Sequence, residues 1–470
     1  MRRIVALSAV LLVLLGTSTA FVAIYFSLSA NKSAPPYVGV SYCGNSLIDA
    51  KLLIDKVKQY TNLFVLQSGD LQRDQNAVFE IGDYAVSSGL NFLPYFSNLN
   101  QSWLGEWTNQ AKQRWGNHFL GVYYGDEIGG RVIDSQAKFY DYSLDASITK
   151  TIQQRIIVEK TDGTSISYEK NGVIYLFQPI SVNVTPNEKQ ETGTISVVYY
   201  PDGNMTVKWI DGSIITEEIS KYDVHLDSYE ELLDKFPFKD QNRIANLFVT
   251  HYQKSLENLK TQSVKVFTSD YVFYWYDYLA SYDVVMAHLG WNTSIEKEIA
   301  LARGASRLQG KSWGAVITYK YTTPPFLSSG EETFNQLRIA YEAGADYLYI
   351  FNYPAEPGRP EGILTNEHFE ALKRFWDEYV LTKKDRDINS RAEAVLILPH
   401  NYGWGMRSPE DKIWGWWEAD ATSQQIWLTL FELLEKHGVL LDIVYEDPVF
   451  PVKDEYEWTY FWNSTLNSEG

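Results

Sequence analysis

FLGVYYGDEIGG, residues 119–130, is the stretch on which the reading of the fold turns. Its apolar start, 119–124, reads as a short buried strand. Two adjacent carboxylates, Asp126 and Glu127, follow it in a turn held open by Gly125, Gly129 and Gly130. A short apolar strand that delivers acidic residues into a glycine-rich turn has the form of a barrel strand and its rim, and the same strand pattern recurs along the chain.

Seven further segments share the strand pattern: 37–42, 62–67, 91–96, 264–269, 283–289, 313–319 and 346–351. Short apolar runs without alternation are what strands buried on both faces of a parallel sheet look like. Amphipathic segments lie between them at 47–60, 76–88, 103–115, 247–261, 295–309, 331–343 and 367–379. Thr293-x-x-Glu296 and Ser329-x-x-Glu332 read as capping boxes, and Gly89 and Gly344 as helix stops. Eight successive units predict an α/β fold, a closed (β/α)8 TIM barrel with its helices outside. The alternative, an open doubly wound sheet, would favour a glycine-rich phosphate loop, and neither G-x-G-x-x-G nor G-x-x-x-x-G-K-[ST] occurs.

The regularity breaks once. Residues 133–222 alternate in the β manner and carry the turn dipeptides Asp162-Gly163, Asn171-Gly172, Asp202-Gly203 and Asp211-Gly212, which predicts a small antiparallel insertion after strand four. The barrel is therefore expected over 34–132 and 223–382, with a C-terminal α/β domain over 391–452 and a tail, 453–470, without an assigned place. At the start, Met1-Arg2-Arg3 precedes an uncharged run, 4–28, long enough to cross a hydrocarbon core of about 30 Å. Residues 1–33 are read as a signal anchor and linker, with cleavage after a small residue as the alternative. Six N-x-S/T sequons, at Asn31, Asn100, Asn183, Asn204, Asn292 and Asn463, all follow that run and fit an extracellular glycoprotein.

Composition narrows the partners. A net charge of -18 without a Lys/Arg stripe disfavours nucleic acid. Fifteen Trp, 33 Tyr and 22 Phe exceed what a core requires, and flat amphipathic rings suit sugar faces. Cys43 is the one cysteine, so no intrachain disulfide forms, and no H-x-H or H-E-x-x-H motif marks a metal; no cofactor is expected. The oligomeric state is not legible.

In a closed parallel barrel the reacting groups stand at the C-terminal ends of the strands. Read there, the chain offers Tyr42, Asp70, Tyr95, Tyr124, Trp275, His288, Trp291, Tyr319, Lys320 and Asn352 as substrate-binding candidates, and Glu127, Asp126, Asp270 and Glu356 as catalytic carboxylates. Paired carboxyls among rings and amides suit glycoside hydrolysis, with Glu127 as general acid/base and Asp270, then Glu356, ranked as its partner. The alternative is a catalytically inactive barrel serving as a surface carbohydrate-binding module. Lys320, between two tyrosines, also admits a Schiff-base reading.

The strand-four loop G-x-Y-x-x-D-E-x-G-G, followed past the barrel by LILPHNYGWGMR, DKIWGWW and LDIVYEDP, resembles the glycoside hydrolase superfamily of (β/α)8 barrels. The second half is similar to the amidotransferase-like domain that follows the barrel in some beta-galactosidases. In clan-A glycosidases the acid/base Glu closes strand four, where Glu127 stands, and the nucleophile Glu closes strand seven. Here strand seven runs into Tyr319-Lys320-Tyr321, and Asp126 occupies a position usually held by Asn.

Overall fold

The computed structural model describes residues 35–99, 101–134, a set of strands between 155 and 226, and 241–464 apart from 292, 355–360, 383–390, 416 and 454–455. The expected membrane run, 4–28, lies outside them. Among the described residues no helix is long and apolar enough to cross a membrane.

Eight parallel strands close a barrel: β1 (Tyr37–Tyr42), β2 (Leu63–Leu66), β3 (Asn91–Phe96), β4 (Val122–Asp126), β5 (Val266–Asp270), β6 (Val284–Leu289), β7 (Ser312–Ile317) and β8 (Tyr347–Ile350), with β1 pairing both β2 and β8. Alternate residues point inward. Leu63, Val65, Leu93, Tyr123, Phe267, Met286, Val316 and Tyr349 fill the interior, while Val40, Phe64 and Phe92 face the helices. Gly39 has no room for a side chain, because a Cβ there would lie 1.9 Å from the Leu63 carbonyl oxygen.

The outer helices are α1 (Leu47–Val57), α2 (Gln75–Ser87), α3 (Leu104–Trp115), α4 (Ile128–Asp134), α5 (Gln241–Thr261), α6 (Tyr274–Leu279), α7 (Ile295–Leu308), α8 (Gly330–Glu342) and α9 (Asn366–Phe375). Ser329 caps α8 as the sequence predicts, but its box partner Glu332 turns to Lys320 instead. The cap of α7 is Ser294, one residue later than predicted. Thr293 is taken by the preceding turn, its hydroxyl donating to the Gly290 carbonyl at 2.9 Å.

The described strands between 155 and 226 pair antiparallel, in sheets of four, three and two strands. Beyond the barrel, β9 (Ala394–Leu398) pairs in parallel with β10 (Leu441–Tyr445) on one side and β11 (Trp458–Phe461) on the other, so the tail supplies the third strand of the C-terminal sheet. Helix α10 (Ala421–His437) crosses between β9 and β10.

This sheet is bolted to α7. Arg303 Nε meets Asp442 at 2.7 Å in full burial, Tyr456 donates to the other Asp442 oxygen, and Gly304 lets the Ile443 carbonyl approach where a Cβ would stand 2.6 Å away. Trp414, also buried, wedges between Phe273 and Tyr276 with ring centroids 4.7 and 4.6 Å apart. The aromatic loop after β9 is thus largely interdomain packing. Its consequence is that α10 is held opposite the barrel rim.

Candidate active site

The signature loop is shaped by a bulge. On β5, Phe267 and Ser269 pair with Tyr123 and Asp126 of β4, so four residues of β4 span the same length as three of β5. Gly125, at φ 71°, absorbs the extra residue. Asp126 is thereby returned to the inward side that Tyr123 occupies.

There Asp126 Oδ1 accepts from the Tyr123 hydroxyl at 2.5 Å and the Ser269 hydroxyl at 2.8 Å, and Gln67 reaches Oδ2 at 3.4 Å. Ser269 also touches His288 Nε2 at 2.8 Å, and His288 Nδ1 stands 3.4 Å from Glu127 Oε1. A continuous polar chain therefore runs Asp126, Ser269, His288, Glu127 across β4, β5 and β6. Burial raises the Glu127 carboxyl above its ordinary value, the electrostatic pull of His288 opposes this, and Asp126 adds to the rise. Glu127 is also a non-glycine residue at φ 58°, a strained conformation of the sort that collects at functional sites.

The glycines after it have a steric cause. A Cβ on Gly129 would stand 2.6 Å from that of Phe273, and one on Gly130 would strike the Tyr271 ring. Both sit close because Asp270 caps the turn: Oδ2 accepts from Gly129 N at 2.5 Å, while Oδ1 accepts from Gly130 N, Tyr271 N and Val272 N.

Glu127 opens on a cleft of about 970 Å³ between the barrel rim and the C-terminal domain. The barrel wall includes Tyr271, Trp291, Lys297 and Asp134; the opposite wall includes Met406, Arg407, Trp427, Phe431, Glu432 and Glu435. Arg407 joins the two, pairing with Asp411 and, at 2.6 Å, with Asp134, which also accepts from the Tyr271 hydroxyl.

The predicted residues divide accordingly. Glu127, Asp126 and His288 come together, Tyr95 packs edge-on against Tyr123 beside them, and Trp291 stacks near Tyr319 with centroids 5.3 Å apart. Burial lifts Tyr95 and Tyr319 to about 12. Asp270 is not a cleft carboxylate; it is wholly buried on the outward side of β5, and burial pushes it up to about 8 against the pull of its four N–H bonds. Tyr42 points out of the barrel and exchanges hydrogen bonds with the Ser46 backbone. Tyr124, also outward, faces α5, where Ser255 bonds it.

Trp275 is buried against Tyr445 and Phe450 of the C-terminal region, and Asn352 is buried with its Oδ1 accepting from Ile363 N. Asp70 is exposed at the start of the Leu71–Arg73 turn. Lys320 is chelated by both Glu332 oxygens at 2.7 and 2.8 Å, and that carboxylate raises its pKa, which opposes the neutral amine a Schiff base requires. Glu356 lies outside the described residues. Tyr123 and Gln67 stand at strand ends the sequence marks but are not among the candidates, and Ser269 is not marked at all, although strand parity points to all three: each stands two residues from, or at, an inward apolar position.

No protein-family profile matches the chain, and no curated protein matches its sequence. Among solved structures, the catalytic module of a family 98 glycoside hydrolase from Streptococcus pneumoniae superposes with a TM-score of 0.39 at 10% identity, over 92% of this chain and 66% of that one. A spore coat polysaccharide biosynthesis protein from Bacillus subtilis gives 0.34 at 9%, over 76% and 71%. Pyruvate kinase from Cryptosporidium parvum gives 0.28 at 11%, over 94% and 92%. Similarity this distant carries no argument about activity.

Proposed function

We propose that this chain is a glycoside hydrolase-like protein whose general acid/base is Glu127, acting on a glycan held in the interdomain cleft. The observation that carries the reading is the placement of Glu127: desolvated, beside His288, and open to a cleft with aromatic walls. A carboxyl whose hold on its proton is strengthened by burial is suited to donate to a glycosidic oxygen, the step that such hydrolysis begins with. Asp126 takes the place first given to Asp270 as second carboxylate. Turned inward by the bulge and held by two hydroxyls, it is positioned to stabilise positive charge on the sugar or to activate water. Residues 4–28 support an extracellular, membrane-anchored setting for this activity.

A second reading, glycan binding without cleavage, is favoured by one observation. Asp270 is consumed by backbone capping and strand seven brings no carboxylate, so the familiar cross-barrel acid pair is missing.

An oligosaccharide panel with reducing-end detection tests both. The hydrolase reading expects turnover by the wild type and a loss of about 10²-fold or more in Glu127→Gln. Retention of full activity by that variant sinks it, and binding without turnover in the wild type supports the second reading.

A further inference from the structure

The cleft has an unbalanced charge inventory. Its lining carboxylates are Glu127, Asp134, Glu432 and Glu435, and its lining cations are Lys297 and Arg407. Both cations are already committed. Lys297 is buried, donates to the Met406 carbonyl at 2.9 Å and pairs with Glu298 at 2.9 Å. Arg407 is forked onto Asp411 and bridged to Asp134. Glu432 and Glu435, three apart on one face of α10, have no ion pair among the described residues.

The same cleft presents flat apolar surface from both sides. Trp291 is 43% exposed on the barrel wall and Phe431 is 55% exposed on the C-terminal wall. Trp291 is held at φ 50°, with its N–H bonded to the Tyr319 carbonyl at 2.6 Å, so its ring is presented by a fixed backbone. Rings of this kind bind the apolar faces of sugars whatever their charge. Charge selection must then come from the carboxylates. An anionic sugar entering the cleft comes within the screening length of about 8 Å of the unpaired Glu432 and Glu435, with no free guanidinium or ammonium among the described lining residues to receive it.

Resting on the glycan reading above, we infer that the cleft selects glycan chains free of acidic groups, neutral or amino-bearing, and that Glu432 and Glu435 on the C-terminal domain enforce this choice. The C-terminal domain is thereby a specificity element of the site as well as a packing partner of the barrel.

The test is titration calorimetry of the full chain with matched oligosaccharides that differ in oxidation at C6, galactan against oligogalacturonate and mannan against oligomannuronate. In low salt the neutral member should bind at least about tenfold more tightly. The gap should narrow at about 1 M salt, where screening shortens to about 3 Å. Replacing Glu432 and Glu435 together by Lys, both being exposed, should close or reverse the gap without shifting the unfolding temperature. Equal or tighter binding of the acidic member by the wild type overturns the inference and leaves the glycan reading standing, as does a gap indifferent to the double substitution. Binding of neither member of any pair overturns both.

Discussion

His288 Nδ1 stands 3.4 Å from Glu127 Oε1 and has no hydrogen-bond partner, while its other nitrogen is tied to Ser269 at 2.8 Å. Glu127 is raised by burial and pulled back by its electrostatic interaction with His288. A general acid must hold its proton, so its pKa sets the alkaline limb of the rate profile. His288→Gln should therefore move that limb of kcat/KM to higher pH. A variant that only loosens the site would lower the plateau and leave the limb in place.

Asp277 is wholly buried and neither of its carboxylate oxygens has a hydrogen-bond partner. Burial, with Asp270 nearby, pushes its pKa well above the ordinary carboxylate value. The folded state therefore holds this proton more tightly than the unfolded chain does. That contribution is complete below the unfolded pKa and is lost as pH rises toward the folded one, at up to about 1.4 kcal/mol per pH unit. Asp277→Asn should flatten the fall in stability on the alkaline side of about pH 4, as read by denaturant melts across pH. An unchanged slope would assign the pH dependence elsewhere.

Removing Arg303 takes the Nε donor from Asp442 Oδ1 and leaves that buried carboxylate with only the Tyr456 hydroxyl and, at 3.6 Å, Arg307. Arg303→Ala should cost about 3–5 kcal/mol, whereas Lys51→Ala, in a half-exposed pair with Glu80, should cost under about 1 kcal/mol. Because α7 carries the C-terminal sheet, limited proteolysis should show that sheet released first.

Gly130→Ala places a methyl against the Tyr271 ring, which Asp134 and Arg407 keep from moving aside. Overpacking of this kind costs about 1–3 kcal/mol. Glycan binding should fall with stability, because the displaced ring and Glu127 share one cleft wall.

Lys320→Met should leave glycan binding and any turnover within about twofold, since the ammonium is engaged by Glu332 in a pair worth about 0–1 kcal/mol. Borohydride should trap no carbonyl compound on the wild type. Trapping that disappears in the variant would reinstate the Schiff-base reading.

The βα rhythm was legible because burial on both faces of a strand leaves an apolar run whatever its neighbours are. The rim was harder. Tyr42, Tyr124 and Asp270 were assigned to the cleft from their place at strand ends, but the two-residue period turns them outward, and Asp270 then answers to the N–H groups of Gly129 and Gly130. Ser269 gives no chemical signal in the sequence, and Gln67 reads only as one rim amide among several, until parity aims both at the same carboxylate.

The local sequence by itself determined the eight βα units and the turn at Gly125, since burial pattern and backbone conformation act over a few residues, whereas the need for small residues at 129 and 130 comes from Phe273 and Tyr271, far along the chain. Only the tertiary structure decided which acid faces the axis and what faces Glu127 across the cleft. One extra residue paired between β4 and β5 reverses the direction of Asp126, and the opposite wall comes from α10, some three hundred residues later in the chain, brought there by the Arg303–Asp442 contact.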